Sequence, residues 1–215
     1  MFLGKYDKEQ FKNVYFITGC ATGGKTTISK AIAEKYGFIR YDADAEFVKH
    51  KMLSNAFEQP AMNKQFKNAD DFFLRDIDDY IQWLKDSTKE QLPFILDDII
   101  KLSQSNKVVC DLHLSVNEAK KIAYNNQIVF LIIKNNSDII NDYCQRESHS
   151  GFNAFINSAT NPTHAKHNCN DVLRKLNTEQ CDDIKASDFF WIARNSKSTV
   201  SDTLKAVEKH FGLIF

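Results

Sequence analysis

Apolar positions come in blocks along this chain, and the blocks alternate between two patterns. Val14-Tyr15-Phe16-Ile17 is a short unbroken apolar run, as expected of a strand covered on both faces. The residues after it switch to a helical period, with Ile28, Ile32 and Tyr36 on one face and Gly37 where such a helix stops. Phe38–Tyr41 predicts a second strand, and Lys107–Asp111 a third that ends in a carboxylate. Ile128–Ile133, the most hydrophobic run, predicts a central strand, and Asp188–Ala193 a last one. The span from about 44 to 106 reads as mostly helical, with Phe47, Phe57, Phe66, Phe72, Phe73, Trp83 and Leu84 as apolar anchors. Ser115 and Glu118 have the spacing of a capping box and open a helix through Ala123. Val200, Leu204, Val207 and Phe211 mark a final helix stopped by Gly212, whereas about 145 to 170 is polar and rich in Asn, Ser and His. Buried strands alternating with helices predict an α/β chain: a three-layer αβα domain over residues 1–215, with a parallel sheet of about five strands.

Composition narrows the function classes. A hydrophobic fraction of 43% with 17 Phe excludes a wholly disordered chain. Twenty-eight basic and 28 acidic residues cancel, so no overall field draws the protein to nucleic acid or to an anionic membrane. No apolar run approaches the roughly 18 residues of a membrane helix, and the charged first ten residues do not form a secretory signal. Five scattered cysteines, Cys20, Cys110, Cys144, Cys169 and Cys181, are an odd set that predicts reduced thiols. A cytoplasmic protein with neither nucleic-acid nor membrane partner is the expectation; the oligomeric state is not encoded legibly.

The chain holds only seven glycines, and Gly19, Gly23 and Gly24 fall within six residues. Gly19-Cys20-Ala21-Thr22-Gly23-Gly24-Lys25-Thr26 fits G-x-x-x-x-G-K-[ST] at every fixed position. Glycines there let successive backbone N–H groups turn inward around phosphate oxygens, and the helix that follows aims its positive end at the same anion. Residues 19 to 26 together with Thr27 are therefore the predicted nucleotide-phosphate site. Lys25 reaches the β- and γ-phosphates of ATP, and the Thr26 hydroxyl binds Mg²⁺.

Beyond this loop, the chain resembles the small P-loop kinases related to shikimate, gluconate and adenylate kinases. The likeness is closest to the shikimate kinase pattern across about residues 13 to 80. Phe38-Ile39-Arg40-Tyr41-Asp42-Ala43-Asp44 looks like that family's second strand with its Asp-x-Asp end. The resemblance gives Asp42 a magnesium role and Asp44 the role of contacting, or taking a proton from, the acceptor hydroxyl. Phe73-Leu74-Arg75-Asp76 looks like the family's Phe-Arg segment, which makes Arg75 a ligand of an acidic substrate group. Asp111 ends the third strand where many P-loop proteins place an acidic residue, and competes with Asp42 for magnesium or with Asp44 as base. Where shikimate kinases carry a glycine triplet, this chain reads Asp111-Leu112-His113-Leu114-Ser115. That departure speaks against shikimate itself, and leaves Asp111 and His113 as candidate substrate contacts. The resemblance also implies a helical acceptor subdomain over about 44–106, and a lid over about 145–170.

Arg146 opens the lid stretch and is a candidate phosphate ligand in catalysis. By the same analogy Arg194, after the last strand, flanks adenine. His149, His164, His167 and Cys169 share the lid stretch but lack the paired Cys-x-x-Cys spacing of a zinc lid. Asn135-Asn136-Ser137-Asp138 lacks the lysine of a guanine-reading motif, and a helix cap explains it better. Asp70, Asp71, Asp76, Asp78 and Asp79 read as a solvated helix face. The sequence thus predicts an ATP- and Mg²⁺-dependent kinase acting on a hydroxyl of a small molecule. A nucleoside or nucleotide kinase and a non-catalytic ATP-binding module are the alternatives. Only Arg75 in 44–106 could grip an acceptor phosphate, which ranks the nucleotide kinase lower.

Overall fold

In a computed structural model, which describes residues 2–133, 150–195 and 197–214, five strands form one all-parallel sheet. They are β1 (Val14–Gly19), β2 (Ile39–Asp42), β3 (Val108–Asp111), β4 (Ile128–Ile133) and β5 (Trp191–Arg194), ordered β2-β3-β1-β4-β5. The inner strands are almost wholly buried, which explains why their sequences do not alternate. Alternation is present as two apolar faces. Phe16, Cys110 and Phe130 join one core, while Ile17, Val109, Val129 and Leu131 join the other.

Helices α1 (Lys25–Tyr36) and α9 (Val200–His210) cover the second face through Ile28, Ile32 and Val207. The first face packs against α5 (Ile77–Ser103), α6 (Val116–Ile122) and α8 (Pro162–Lys185), through Leu92, Leu96, Ile99, Ile122 and Ile184. The result is a three-layer αβα P-loop fold. Between β2 and α5 lie three short helices, α2 (Phe47–Leu53), α3 (Pro60–Asn63) and α4 (Ala69–Phe73), and α7 (Ser150–Asn157) precedes α8. Both predicted helix stops hold, with Gly37 at φ 67° and Gly212 at φ 66°. Ser115 and Glu118 make both capping-box bonds. No helix among the described residues is long and apolar enough to cross a membrane.

A third core joins α4, α5, α7 and α8 through Phe73, Tyr80, Ile81, Ile156, Ala165, Cys169 and Val172. It bears on two expectations. The polar stretch expected as a lid is, from 150 onward, largely helical, and the side it packs with includes Phe152, Ile156, Ala159, Ala165 and Cys169. Phe57, read as an anchor, is 96% exposed. The acidic residues of this region are also more than a solvated face. Asp76 caps α5 through the Asp78 and Asp79 N–H groups, Asp70 accepts from Thr160 N–H at 2.8 Å, and Asp78 pairs with Lys175.

Candidate functional site

The carboxyl end of β1 lies at the centre of the sheet, between β3 and β4, where the chain's connections diverge to opposite sides; ligands of open parallel sheets bind at such points. The glycine loop occupies it. Gly19 has φ 114° and Gly24 φ 94°, backbone that side chains resist. A Cβ on Gly19 would collide with the Leu131 carbonyl of β4, and one on Gly23 would lie 2.5 Å from the same oxygen. The loop is seated on β4 by the Cys20 N–H, which donates to Leu131 O at 3.0 Å. Gly24 caps α1 and offers no side chain, so no cap occupies the first-turn N–H groups around Lys25, Thr26 and Thr27.

Lys25 is 92% buried, and its ammonium donates to the carbonyls of Gly19 at 3.3 Å and Cys20 at 3.0 Å. After β3 the chain continues beside β1, where the Leu114 N–H donates to Thr18 Oγ1 at 2.9 Å. This places His113 against Lys25 and the backbone of Gly19. The Lys25 ammonium, and then burial, push its pKa down to about 3, against the opposing pull of the Gly19 carbonyl. His113 is therefore a neutral imidazole beside the Lys25 ammonium.

The two strand-end carboxylates are neighbours. Asp42 and Asp111 are register partners across β2 and β3, and Arg40 joins them. Its Nη2 donates to Asp42 Oδ2 at 2.6 Å and lies 3.5 Å from Asp111 Oδ2, while its Nε donates to Ser29 Oγ on α1 at 3.0 Å. Arg40 and Asp42 are two residues apart on one strand and so share a face. One guanidinium against two carboxylates leaves a net negative charge, linked through Ser29, whose hydroxyl donates to the Thr26 carbonyl, to the first turn of α1, where Thr26 is exposed. Hard oxygen donors of this kind suit Mg²⁺, and the uncapped glycine loop suits polyphosphate. The residues present fit both groups.

No protein-family model matches the chain, and no curated protein matches it. Two solved structures to which it is similar are a shikimate kinase from Acinetobacter baumannii in complex with shikimate and a dephospho-CoA kinase from Campylobacter jejuni. The first is 14% identical, over 93% of this chain and 91% of that one, with a TM-score of 0.47. The second is 18% identical, over 94% and 99%, with a TM-score of 0.45. Likeness at this distance decides nothing about activity, and the loop and strand ends carry the reading below.

The other predicted residues are placed unequally. Asp44 lies exposed in the turn between β2 and α2, two residues beyond Asp42. Arg194 does not stand off from the loop: its Nη1 donates to Gly23 O at 2.8 Å, and it fills the space that a Cβ on Gly24 would need. Arg75 lies among aromatic side chains. Its guanidinium is surrounded by the rings of Tyr80 at 4.0 Å, Phe66 at 4.6 Å, Trp83 at 4.7 Å and Phe72 at 5.1 Å. All three of its nitrogens are buried without a hydrogen-bond partner, and burial lowers its pKa. The guanidinium is held by these ring faces and not by hydrogen bonds to its nitrogens.

Arg146, His149 and Asn135 to Asp138 lie outside the described residues. His164 and His167 are exposed while Cys169 is buried in the helical core, so these three do not converge on a metal. The sequence reading missed Arg40 and two residues of α8, Asn177 and Cys181. The Ala21 N–H donates to Asn177 Oδ1 at 3.0 Å, and Cys181 faces Cys20. Partners 156 and 161 residues away leave no local pattern; only their position on one helix face, four residues apart, could have hinted at them.

Proposed function

We propose that this protein is an ATP- and Mg²⁺-dependent phosphotransferase whose acceptor is a hydroxyl of a small molecule. The observation that supports it most is the uncapped glycine loop, with the Lys25 ammonium held at its mouth by two carbonyls. Lys25 exchanges those neutral partners for phosphate oxygens, which make stronger, charge-assisted bonds. Thr26 and Asp42, with Asp111 beside them, hold the magnesium ion, which neutralises charge on the transferred phosphoryl group. Asp44, at the open edge, orients the acceptor hydroxyl and takes its proton. His113, being neutral, adds no competing positive charge behind Lys25, and donates to the Gly19 carbonyl that the lysine shares. Arg146 and the stretch to about 170 remain the proposed cover of the phosphates.

One observation favours a second reading. Arg40 already neutralises much of Asp42, as suits a module that binds nucleotide without transferring phosphate. ADP release from Mg·ATP, measured against a panel of hydroxyl-bearing metabolites and nucleosides, separates the two. A kinase shows acceptor-stimulated release that falls about a hundredfold or more in Lys25→Ala. Asp44→Asn loses about 10²–10⁴ of that rate with unchanged ATP affinity. Tight ATP binding with no stimulation by any acceptor, or transfer undiminished in Lys25→Ala, overturns the kinase reading.

A further inference from the structure

The second residue of the phosphate loop turns its side chain away from the phosphate side. Cys20 is fully buried, and its Sγ lies 3.2 Å from the Sγ of Cys181 on α8. A disulfide bond is about 2.05 Å long, so a movement of about 1 Å, shared between the two side chains, would join them. Each sulfur is also directed at a carbonyl: Cys20 at Asn177 O, 3.8 Å away, and Cys181 at Ile133 O, 4.0 Å away. Four residues before Cys181 on the same helix face, Asn177 already holds the loop through the Ala21 N–H. The other described cysteines lie elsewhere, Cys110 within β3 and Cys169 in the helical core.

We propose that Cys20 and Cys181 are a reversible dithiol–disulfide pair, oxidised by a peroxide, whose disulfide ties the phosphate loop to α8 and weakens its hold on nucleotide. The sulfur chemistry stands on the geometry of the pair alone, and the effect on nucleotide rests on the phosphate-binding reading above. Cys181 reacts first. It is 7% exposed where Cys20 is fully enclosed, and the Cys20 thiol directed at it lowers its pKa, with Lys185 adding to the effect. Its sulfur attacks one peroxide oxygen. An S–O bond forms, the O–O bond breaks, and the departing oxygen takes up a proton to leave as water. The Cys20 sulfur then attacks the Cys181 sulfenic acid; the S–S bond forms, the S–O bond breaks, and a second water leaves with the Cys20 proton. Two thiols have lost two electrons and two protons to one peroxide.

The loop has no slack to absorb the change. The Cys20 carbonyl accepts both from Lys25 Nζ and from the Gly23 N–H, so drawing Cys20 toward α8 moves the anchor of the lysine. The loop lies so close to β4 that a Cβ on Gly19 or Gly23 would collide with the Leu131 carbonyl. By reciprocity, bound nucleotide slows formation of the disulfide.

The test uses the full-length chain, reduced and then exposed to hydrogen peroxide with and without Mg·ATP. Intact mass and peptide mapping report the bond, and a fluorescent ATP analogue reports affinity. The expected result is a Cys20–Cys181 crosslink with loss of two hydrogens, reversed by dithiothreitol and slowed by Mg·ATP. Affinity falls about tenfold in the oxidised wild type and not at all in Cys181→Ser. No crosslink, a disulfide to Cys144 or between two chains instead, or a crosslink with unchanged affinity overturns the proposal. A reduced protein that does not bind the analogue overturns the phosphate-binding reading instead, and the crosslink alone then decides the thiol pair.

Discussion

Lys25 and Arg75 are both half or more buried and both cationic, yet their surroundings differ in kind. Lys25 is held by two backbone carbonyls at the end of an uncapped helix, in a loop whose glycines leave no room for side chains. Arg75 is held by four aromatic rings and has no hydrogen-bond partner at any nitrogen. A carbonyl can be exchanged for a phosphate oxygen at a net gain, because the new bond is charge-assisted. A ring face cannot be exchanged in this way without opening the core around it. The first arrangement leaves partners that an anion could replace, whereas the second holds its charge against ring faces. The two regions share α8: Asn168 ties down the carbonyls of Phe73 and Arg75, and Asn177 ties down the loop. Nine residues of helix separate these contacts, about 13 Å along the axis.

The sharpest way to break this contrast is at Arg75. If the guanidinium is packing, Arg75→Ala leaves a void among Phe66, Phe72, Tyr80 and Trp83, and destabilises the fold by about 3–4 kcal/mol. Arg75→Met, which fills similar space and removes a buried unpaired charge, is expected within about 1 kcal/mol of wild type. Urea unfolding measures both, and nucleotide affinity is unchanged in the Met variant. A Met variant that is stable but loses acceptor-dependent turnover would return Arg75 to the substrate.

Gly23 sharpens the other side. Gly23→Ala drives a Cβ against the Leu131 carbonyl, with the Cys20 carbonyl 3.1 Å away on the other side. Both are backbone atoms that cannot swing aside, so the expected loss is about 3 kcal/mol, with weakened nucleotide binding. Gly4→Ala, whose Cβ would meet nothing within 4 Å, is the control and leaves the urea midpoint in place. Equal midpoints for the two variants would mean that the loop has slack after all.

What the sequence disclosed follows from how local each signal is. The loop was legible because eight consecutive residues make it, and the inner strands because burial on both faces suppresses polar residues in a continuous run. The helix stops at Gly37 and Gly212 were equally local. Burial was less legible: Phe57 carries the same side chain as Phe73 but lies at the surface. The helices after 150 were less legible because Phe152, Ile156, Ala165 and Cys169 pack inward from among many polar residues such as exposed His164, Lys166 and His167. Contacts that complete the site, Arg40 to Asp111, Arg194 to Gly23 and Asn177 to Ala21, span 71 to 171 residues. Only the topology brings them together.

His113 lies between the two regimes: it shares the Gly19 backbone with Lys25, but no anion contact is needed to explain its state. Its folded pKa of about 3 lies below the ordinary histidine value, so the unfolded chain binds the extra proton as pH falls through about 6.5. Stability contributed by keeping this imidazole neutral is therefore full above that pH and declines steadily below it, until the folded histidine itself titrates. Between pH 7 and pH 5 the nucleotide-free wild type is expected to lose about 2 kcal/mol through this one group. His113→Gln can still donate to the Gly19 carbonyl but has no proton to gain, so its urea stability falls less by that amount over the same range. Parallel pH dependences for wild type and variant would show that the Lys25 ammonium does not act on His113 as the geometry requires.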